Sequence, residues 1–327
     1  MITLTVIAPA YNQEQYVVQF LNSLHDQTYQ DYQLIIMDDH STDNTAALIE
    51  AATDGWKNEV IFIQRTKNVG EGKSCAERFS RAGGQIWLKV DPDSLLPPET
   101  LQRFLDSFAC DQVGMVGTLI RPLGPLNLIL RGTEVLVAAK QRNDRQGAGT
   151  TRIAYGTCFA FRRDLFTMSE LASRADADLS QLAIKRGWKV VLLEDLIVRT
   201  RFPTKTGEVF QRGRLMAHQE LLTCWHHPKL LLTHWSFWSK IVLLGLLSVC
   251  VLHPFYAMLG LILCFLVTQI FLGLRASDYS LCDRIAGWWV TVLRWSGFDF
   301  EMILVAVQLF TKTISHWFSL YKPASIH

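Results

Sequence analysis

The chain has 327 residues, 49% of them hydrophobic, and a formal net charge of +2. That length allows one large domain with an appendage, and the balanced charge leaves no electrostatic footprint for nucleic acid. Seven cysteines, at 75, 110, 158, 224, 250, 264 and 282, form no Cys-x-x-Cys pair; this excludes a disulfide framework and a zinc ribbon and fits reduced thiols on a cytosolic face. His218, Cys224, His226 and His227 match no zinc spacing either.

The first element is a strand from Ile2 to Ala8, stopped by Pro9-Ala10-Tyr11-Asn12. The chain as given opens directly into it, so no signal peptide is expected. Helical periodicity follows from Glu14 to His25, with Val17, Val18, Phe20, Leu21 and Leu24 as its apolar positions. A second strand, Gln33 to Met37, runs into Asp38-Asp39-His40-Ser41-Thr42-Asp43-Asn44-Thr45. A helix (46–52), a strand (59–64), the segment Asn68-Val69-Gly70-Glu71-Gly72-Lys73-Ser74, and a helix to about Arg81 come next. The apolar run from Gln85 to Val90 then reads as a strand that Pro92 forbids from continuing. Strands alternating with helices at short spacing predict an α/β fold, a mostly parallel sheet with helices on both faces.

In such sheets, ligands sit at the carboxyl ends of the strands. The polar clusters Pro9–Asn12, Asp38–Asp43, Asn68–Lys73 and Asp91–Asp93 all fall there, on one rim. Asp91 and Asp93 suit a hard divalent cation, Mg or Mn, that keeps some waters and takes its other oxygens from a diphosphate. A turn leading into the following helix is the structural alternative for this pair. Asp38 and Asp39 admit both a ligand role and a strand-end turn capped through Asp43 and Thr45. Gly70 to Ser74 resembles a phosphate-binding P-loop, but the motif's first glycine is replaced by Lys67. Lys73 can still reach a diphosphate.

Pro9-Ala10-Tyr11-Asn12, Asp38-Asp39-x-Ser41-x-Asp43 and Asp91-x-Asp93 together resemble the nucleotide-sugar half of family-2 glycosyltransferases, which share the A-type glycosyltransferase fold. Gly156 to Arg163 is similar to that family's acceptor-side strand. Asp176-Ala177-Asp178-Leu179-Ser180 stands where the membrane-bound branch has a Glu-Asp base motif. Gln211-Arg212-Gly213-Arg214-Leu215 stands where it has Gln-x-x-Arg-Trp. That branch includes cellulose, chitin and hyaluronan synthases and ceramide glucosyltransferase. The resemblance covers residues 2–215, with Ala177 and Leu215 as its two departures.

The resemblance implies site roles. Asp39 would bond the nucleotide base; Pro9, Tyr11, Asp91, Gln211 and Arg214, joined by Lys73 of the Gly-rich turn, would hold the rest of the donor; Asp93 would be the direct metal ligand. Asp176, Asp178 and Asp195 are the carboxylates open to the role of general base, and the motif position favours Asp178. For Asp176 and Asp178 the structural alternative is a helix N-cap.

Residues 241–274 contain no Asp, Glu, Lys or Arg. As one helix at ~1.5 Å per residue this run would be roughly 51 Å long, against a hydrocarbon core of ~30 Å. A hairpin over about 235–274, broken at His253-Pro254, fits better, with Trp235 and Trp238 at the interface. A further interfacial or spanning segment is expected over about 285–320. The expected organisation is a cytosolic catalytic domain (1–230) and a membrane region (231–327).

The function these readings imply is an integral-membrane, inverting glycosyltransferase facing the cytoplasm. It would move a sugar from a nucleotide diphosphate, UDP by preference, to a hydroxyl of a lipid-linked or glycan acceptor. A polyprenyl-phosphate sugar transferase is one alternative. The other is a non-catalytic nucleotide-sugar-binding partner of a polysaccharide assembly, a reading that rests on Ala177 and Leu215.

Overall fold

The computed structural model describes residues 3–67, 71–147, 149–173, 176–212, 266 and 278–291. The chain divides into two compact units, Met1–Pro125 with Val137–Phe202, and Leu126–Leu136 with Pro203–His327.

The first unit is built on a ten-stranded sheet. Its first half follows the alternation of the sequence: β1 (Leu4–Ala10), α1 (Val17–His25), β2 (Tyr32–Asp38), α2 (Thr45–Thr53), β3 (Glu59–Gln64), α3 (Glu71–Ser80) and β4 (Ile86–Val90). These four strands are parallel neighbours in the order β3-β2-β1-β4, with Ala10 opposite Asp38 and Asp38 opposite Gln64. Their carboxyl ends therefore share one rim. β1, β2 and β4 have two buried faces, as parallel strands covered by helices do, and the edge strand β3 is half-buried. Leu4, Val6, Ala8, Leu88 and Val90 pack with α1 residues on one face. Ile7, Ile35, Trp87 and Phe79 pack on the other.

The second half departs from a mostly parallel sheet. A two-residue strand β5 (Ser94–Leu95) and a helix α4 (Thr100–Ser107) lead to β6 (Val113–Pro122) and the long α5 (Leu128–Asp144). Two short strands, β7 (Arg145–Gly147) and β8 (Thr150–Thr151), precede β9 (Cys158–Arg162), which lies antiparallel between β4 and β6. The chain comes back from α5 at the end of the sheet where β4 stops, so β9 must run the other way. Two helices, α6 (Met168–Ser173) and α7 (Asp176–Lys185), then lead to β10 (Lys189–Thr200), parallel to β6 and antiparallel to β5 and β8. The result is a mixed sheet.

The start of α1 differs from its periodicity. Gln13 to Tyr16 form a turn, with the Gln13 carbonyl accepting from both Tyr16 and Val17 N–H at 2.9 Å. Gln13 and Glu14 donate their own N–H groups to Thr45 and Asp43 of the neighbouring loop, at 2.7 and 3.2 Å. This cross-loop satisfaction takes over from a local cap.

In the second unit, residues 281–291 are helical and pack against the first half of α5. A Cβ on Gly132 would lie 2.3 Å from the Ala286 carbonyl oxygen, so only glycine admits that approach. Among the described residues no helix is long and apolar enough to cross a membrane. The expected hairpin over 235–274 lies outside the described residues except for Leu266, and of 285–320 only 285–291 is described.

Candidate active site

The rim is assembled by two loops that lock into each other. Asn12, in the left-handed region at φ 52, receives the Thr42 N–H on its side-chain oxygen at 2.9 Å and gives its own N–H to Ser41 Oγ at 2.8 Å. Asp38 is 1% exposed and is consumed by the turn, accepting from both the N–H and the hydroxyl of Ser41. Asp39 differs. Its N–H bonds the Ala10 carbonyl at 2.9 Å, while its buried Oδ1 has no hydrogen-bond partner. Arg65 Nε stands 3.8 Å from that oxygen, an ion-pair distance rather than a hydrogen bond, and its guanidinium is engaged by Glu77. An orphaned buried carboxylate oxygen on the ligand rim is an acceptor waiting for a donor. Pro9 is half-buried at the end of β1, and the Tyr11 ring beyond it is 48% exposed.

At the end of β4 the chain turns at once, with Ser94 N–H donating to the Asp91 carbonyl at 3.1 Å and β5 pairing with the end of β10. That pairing sets Thr200 beside Asp93, and the Thr200 hydroxyl donates to Asp93 Oδ1 at 3.0 Å. Burial, together with repulsion from Asp91, pushes the Asp93 carboxyl above the usual carboxylate range; the Thr200 bond and the Arg201 charge oppose this without cancelling it. Asp91 is held by the Lys89 ammonium at 2.7 Å.

The pair therefore presents hard oxygen ligands of the kind that fit a divalent cation. Among the described residues no group of three or more His, Cys, Asp or Glu gathers around them. A cation here would take its remaining ligands from water and phosphate oxygens.

Across the sheet, α7 begins with Asp176, whose Oδ2 accepts the Gly156 N–H at 2.6 Å. Leu179, Ser180 and Ala183 form its buried face. It ends where Gly187, at φ 85, lets Trp188 N–H return to the Ala183 carbonyl at 3.0 Å. Asp178 lies in the first turn but on the exposed side, with no hydrogen bond or ion pair among the described residues. Asp195 sits in an irregularity of β10 and is bonded by Arg103 at 2.6 and 2.8 Å, which holds its carboxyl below the usual range. Its side chain is therefore spent on fastening α4 to β10.

Lys73 lies in the first turn of α3, with a side chain outside the described set. Gln211 is exposed in a helical stretch over 206–212, in the second unit, and Arg214 lies outside the described residues. Sequence reasoning missed Thr200, Arg201 and Lys89. Only Lys89 carried a signal, as a lone cation in an apolar strand on the same face as Asp91, two residues on.

Three comparisons bear on this geometry. Over 117 residues the chain is 33% identical to the undecaprenyl-phosphate 4-deoxy-4-formamido-L-arabinose transferase of Proteus mirabilis (strain HI4320), covering 35% of this chain and 36% of that protein. Over 200 residues it is 26% identical to the poly(ribitol-phosphate) beta-N-acetylglucosaminyltransferase TarS of Staphylococcus aureus (strain Mu50 / ATCC 700699), covering 60% and 35%. The matched stretches thus span about a third of the length of these curated relatives. Among solved structures, the mannosyltransferase PcManGT from Pyrobaculum calidifontis, in complex with GDP-Man and Mn2+, superposes with a TM-score of 0.61 at 19% identity, over 91% of this chain and 86% of that one. The fold is thus the A-type glycosyltransferase fold with a mixed sheet. Residues 5–167, from β1 to just beyond β9, match the model of glycosyl transferase family 2, and the chain belongs to that family.

Proposed function

We propose that the protein is a metal-dependent, inverting glycosyltransferase that moves a sugar from a nucleotide diphosphate, UDP by preference, to a hydroxyl of a lipid-linked or glycan acceptor. The observation that carries this reading is the rim itself, where the Asp39 oxygen without a hydrogen-bond partner and the Asp91–Asp93 pair stand at the ends of β2 and β4, the two parallel strands that flank β1. Asp39 Oδ1 would accept the imide N–H of uracil, with the Tyr11 ring beside it. Asp93, with Asp91, would hold a divalent cation, which would supply positive charge to the diphosphate as it leaves. Lys73, Gln211 and Arg214 would add charge and hydrogen bonds to that leaving group.

Asp178 would take the proton of the acceptor hydroxyl while its oxygen bonds the anomeric carbon and the bond to the diphosphate breaks with its electron pair. Its exposed, unpaired carboxylate on the first turn of α7 supports this assignment. Attack from the face opposite the leaving group inverts the anomeric carbon. We further propose that the charge-free run at 241–274 anchors the protein in the membrane as an integral protein, with the catalytic unit on the cytoplasmic side.

A second reading, transfer to a polyprenyl phosphate, is supported by the 33% identity to the undecaprenyl-phosphate transferase. Membranes carrying the full chain, given a panel of radiolabelled nucleotide sugars with either polyprenyl phosphate or extracted lipids and glycans, would separate the two. Labelled product from a UDP-sugar, lost in Asp93→Ala, is the expected result. Product on polyprenyl phosphate alone would favour the second reading. No transfer from any donor would refute both.

A further inference from the structure

Lys89 lies on a strand that is otherwise apolar, and its ammonium is clamped from two sides. It donates to Asp91 Oδ1 at 2.7 Å and to the Gly156 carbonyl at 2.7 Å. The other edge of that residue is held as well, because Asp176 accepts the Gly156 N–H at 2.6 Å. Asp91 is fixed in turn by its own N–H, which donates to the Thr157 carbonyl at 2.9 Å. A Cβ on Gly156 would come within 3.1 Å of the Asp176 carboxyl, so the clamp is also packed closely.

A positive charge thus stands permanently against one of the two carboxylates read above as the cation site. We propose that Lys89 is a built-in counter-ion of the Asp91–Asp93 pair, which makes divalent-cation binding conditional on the donor. With Asp91 countered by Lys89 and Asp93 in the field of Arg201, the pair offers a cation little net negative charge, and the diphosphate supplies the rest. Cation and nucleotide then bind together, and the free protein holds the cation weakly. This inference rests on the metal reading of the Asp pair.

The test is titration of the full-length protein with Mn2+, followed by calorimetry or by loss of the free-ion paramagnetic signal, with and without UDP. A unit charge a few Å from a divalent ion, at near-aqueous screening, is worth at least about tenfold in affinity. Lys89→Met should therefore bind Mn2+ about tenfold more tightly than wild type without UDP, and UDP should enhance its Mn2+ affinity correspondingly less. Lys89→Gln, which keeps a donor for the Gly156 carbonyl, should behave the same way, whereas Lys89→Arg should stay near wild type. A merely structural lysine would not produce a gain in affinity. Lys89→Met and Lys89→Gln proteins that fold and bind Mn2+ as wild type does, while Asp93→Ala binds it less, would overturn this inference alone. Unchanged Mn2+ binding in Asp93→Ala would overturn the metal reading and the inference together.

Discussion

Thr200→Val is the sharpest probe of the site because it removes one hydrogen bond and almost no volume. Thr200 is 3% exposed, and its hydroxyl donates to Asp93 Oδ1 at 3.0 Å. The Asp93 carboxyl already titrates above its ordinary value, through burial and the Asp91 charge, and the Thr200 bond is the first of the influences that hold it down. A hydrogen bond to an ionised group contributes ~1.5–3 kcal/mol and favours the charged carboxylate, so its loss raises the carboxyl pKa further. Since the charged form is the one that binds a cation, the acid limb of kcat/KM against pH should move to higher pH. At higher pH the rate should recover. The limb belongs to the Asp91–Asp93 pair as a whole, so its midpoint is read rather than assigned to one carboxyl. A limb that stays in place in a folded Thr200→Val protein would refute the reasoning.

The same raised carboxyl has a cost in stability. The folded state binds the Asp93 proton more readily than the unfolded chain, so the stability associated with that proton is lost as pH rises through the raised pKa. Asp93→Asn should therefore increase the thermal midpoint at neutral pH, with the gain vanishing below the ordinary Asp pKa of about 3.9; an unchanged midpoint at pH 7 would contradict it. The two neighbouring carboxylates of β2 should part company. Asp38→Ala strands the Ser41 donors and should cost ~1–3 kcal/mol in urea unfolding, whereas Asp39→Asn should weaken UDP binding in calorimetry and leave unfolding nearly unchanged. Asp178→Asn should lower transfer at least ~100-fold with donor binding intact; wild-type transfer there alongside a dead Asp176→Asn would move the base to Asp176. Cys110 and Cys282 are both exposed, and impermeant thiol reagents applied to intact cells should miss both if the proposed topology holds. Labelling of Cys282 alone would indicate a single span.

The first half of the fold and its rim of polar strand ends were legible in the residues alone. Alternating apolar strands and short helices from Leu4 to Val90 leave their mark residue by residue, because both faces of β1, β2 and β4 are covered and each strand ends in a polar turn. Parallel pairing then brings those turns to one edge, which is why Asp39, Asp91 and Asp93 could be placed on one rim from the order of strands and polar turns alone. Only the tertiary structure separated Asp38, spent on the Ser41 turn, from Asp39, whose Oδ1 is left without a hydrogen-bond partner; adjacent aspartates look alike until their hydrogen bonds are counted. It alone also decided the direction of β9, since strand direction depends on where the chain returns from α5 rather than on β-propensity. The partners that tune the site were hidden for the same reason. Thr200 reaches Asp93 across 107 residues, and Gly156 reaches Lys89 across 67. Contacts at such separations are set by strand order and register, which hydrophobic periodicity does not encode.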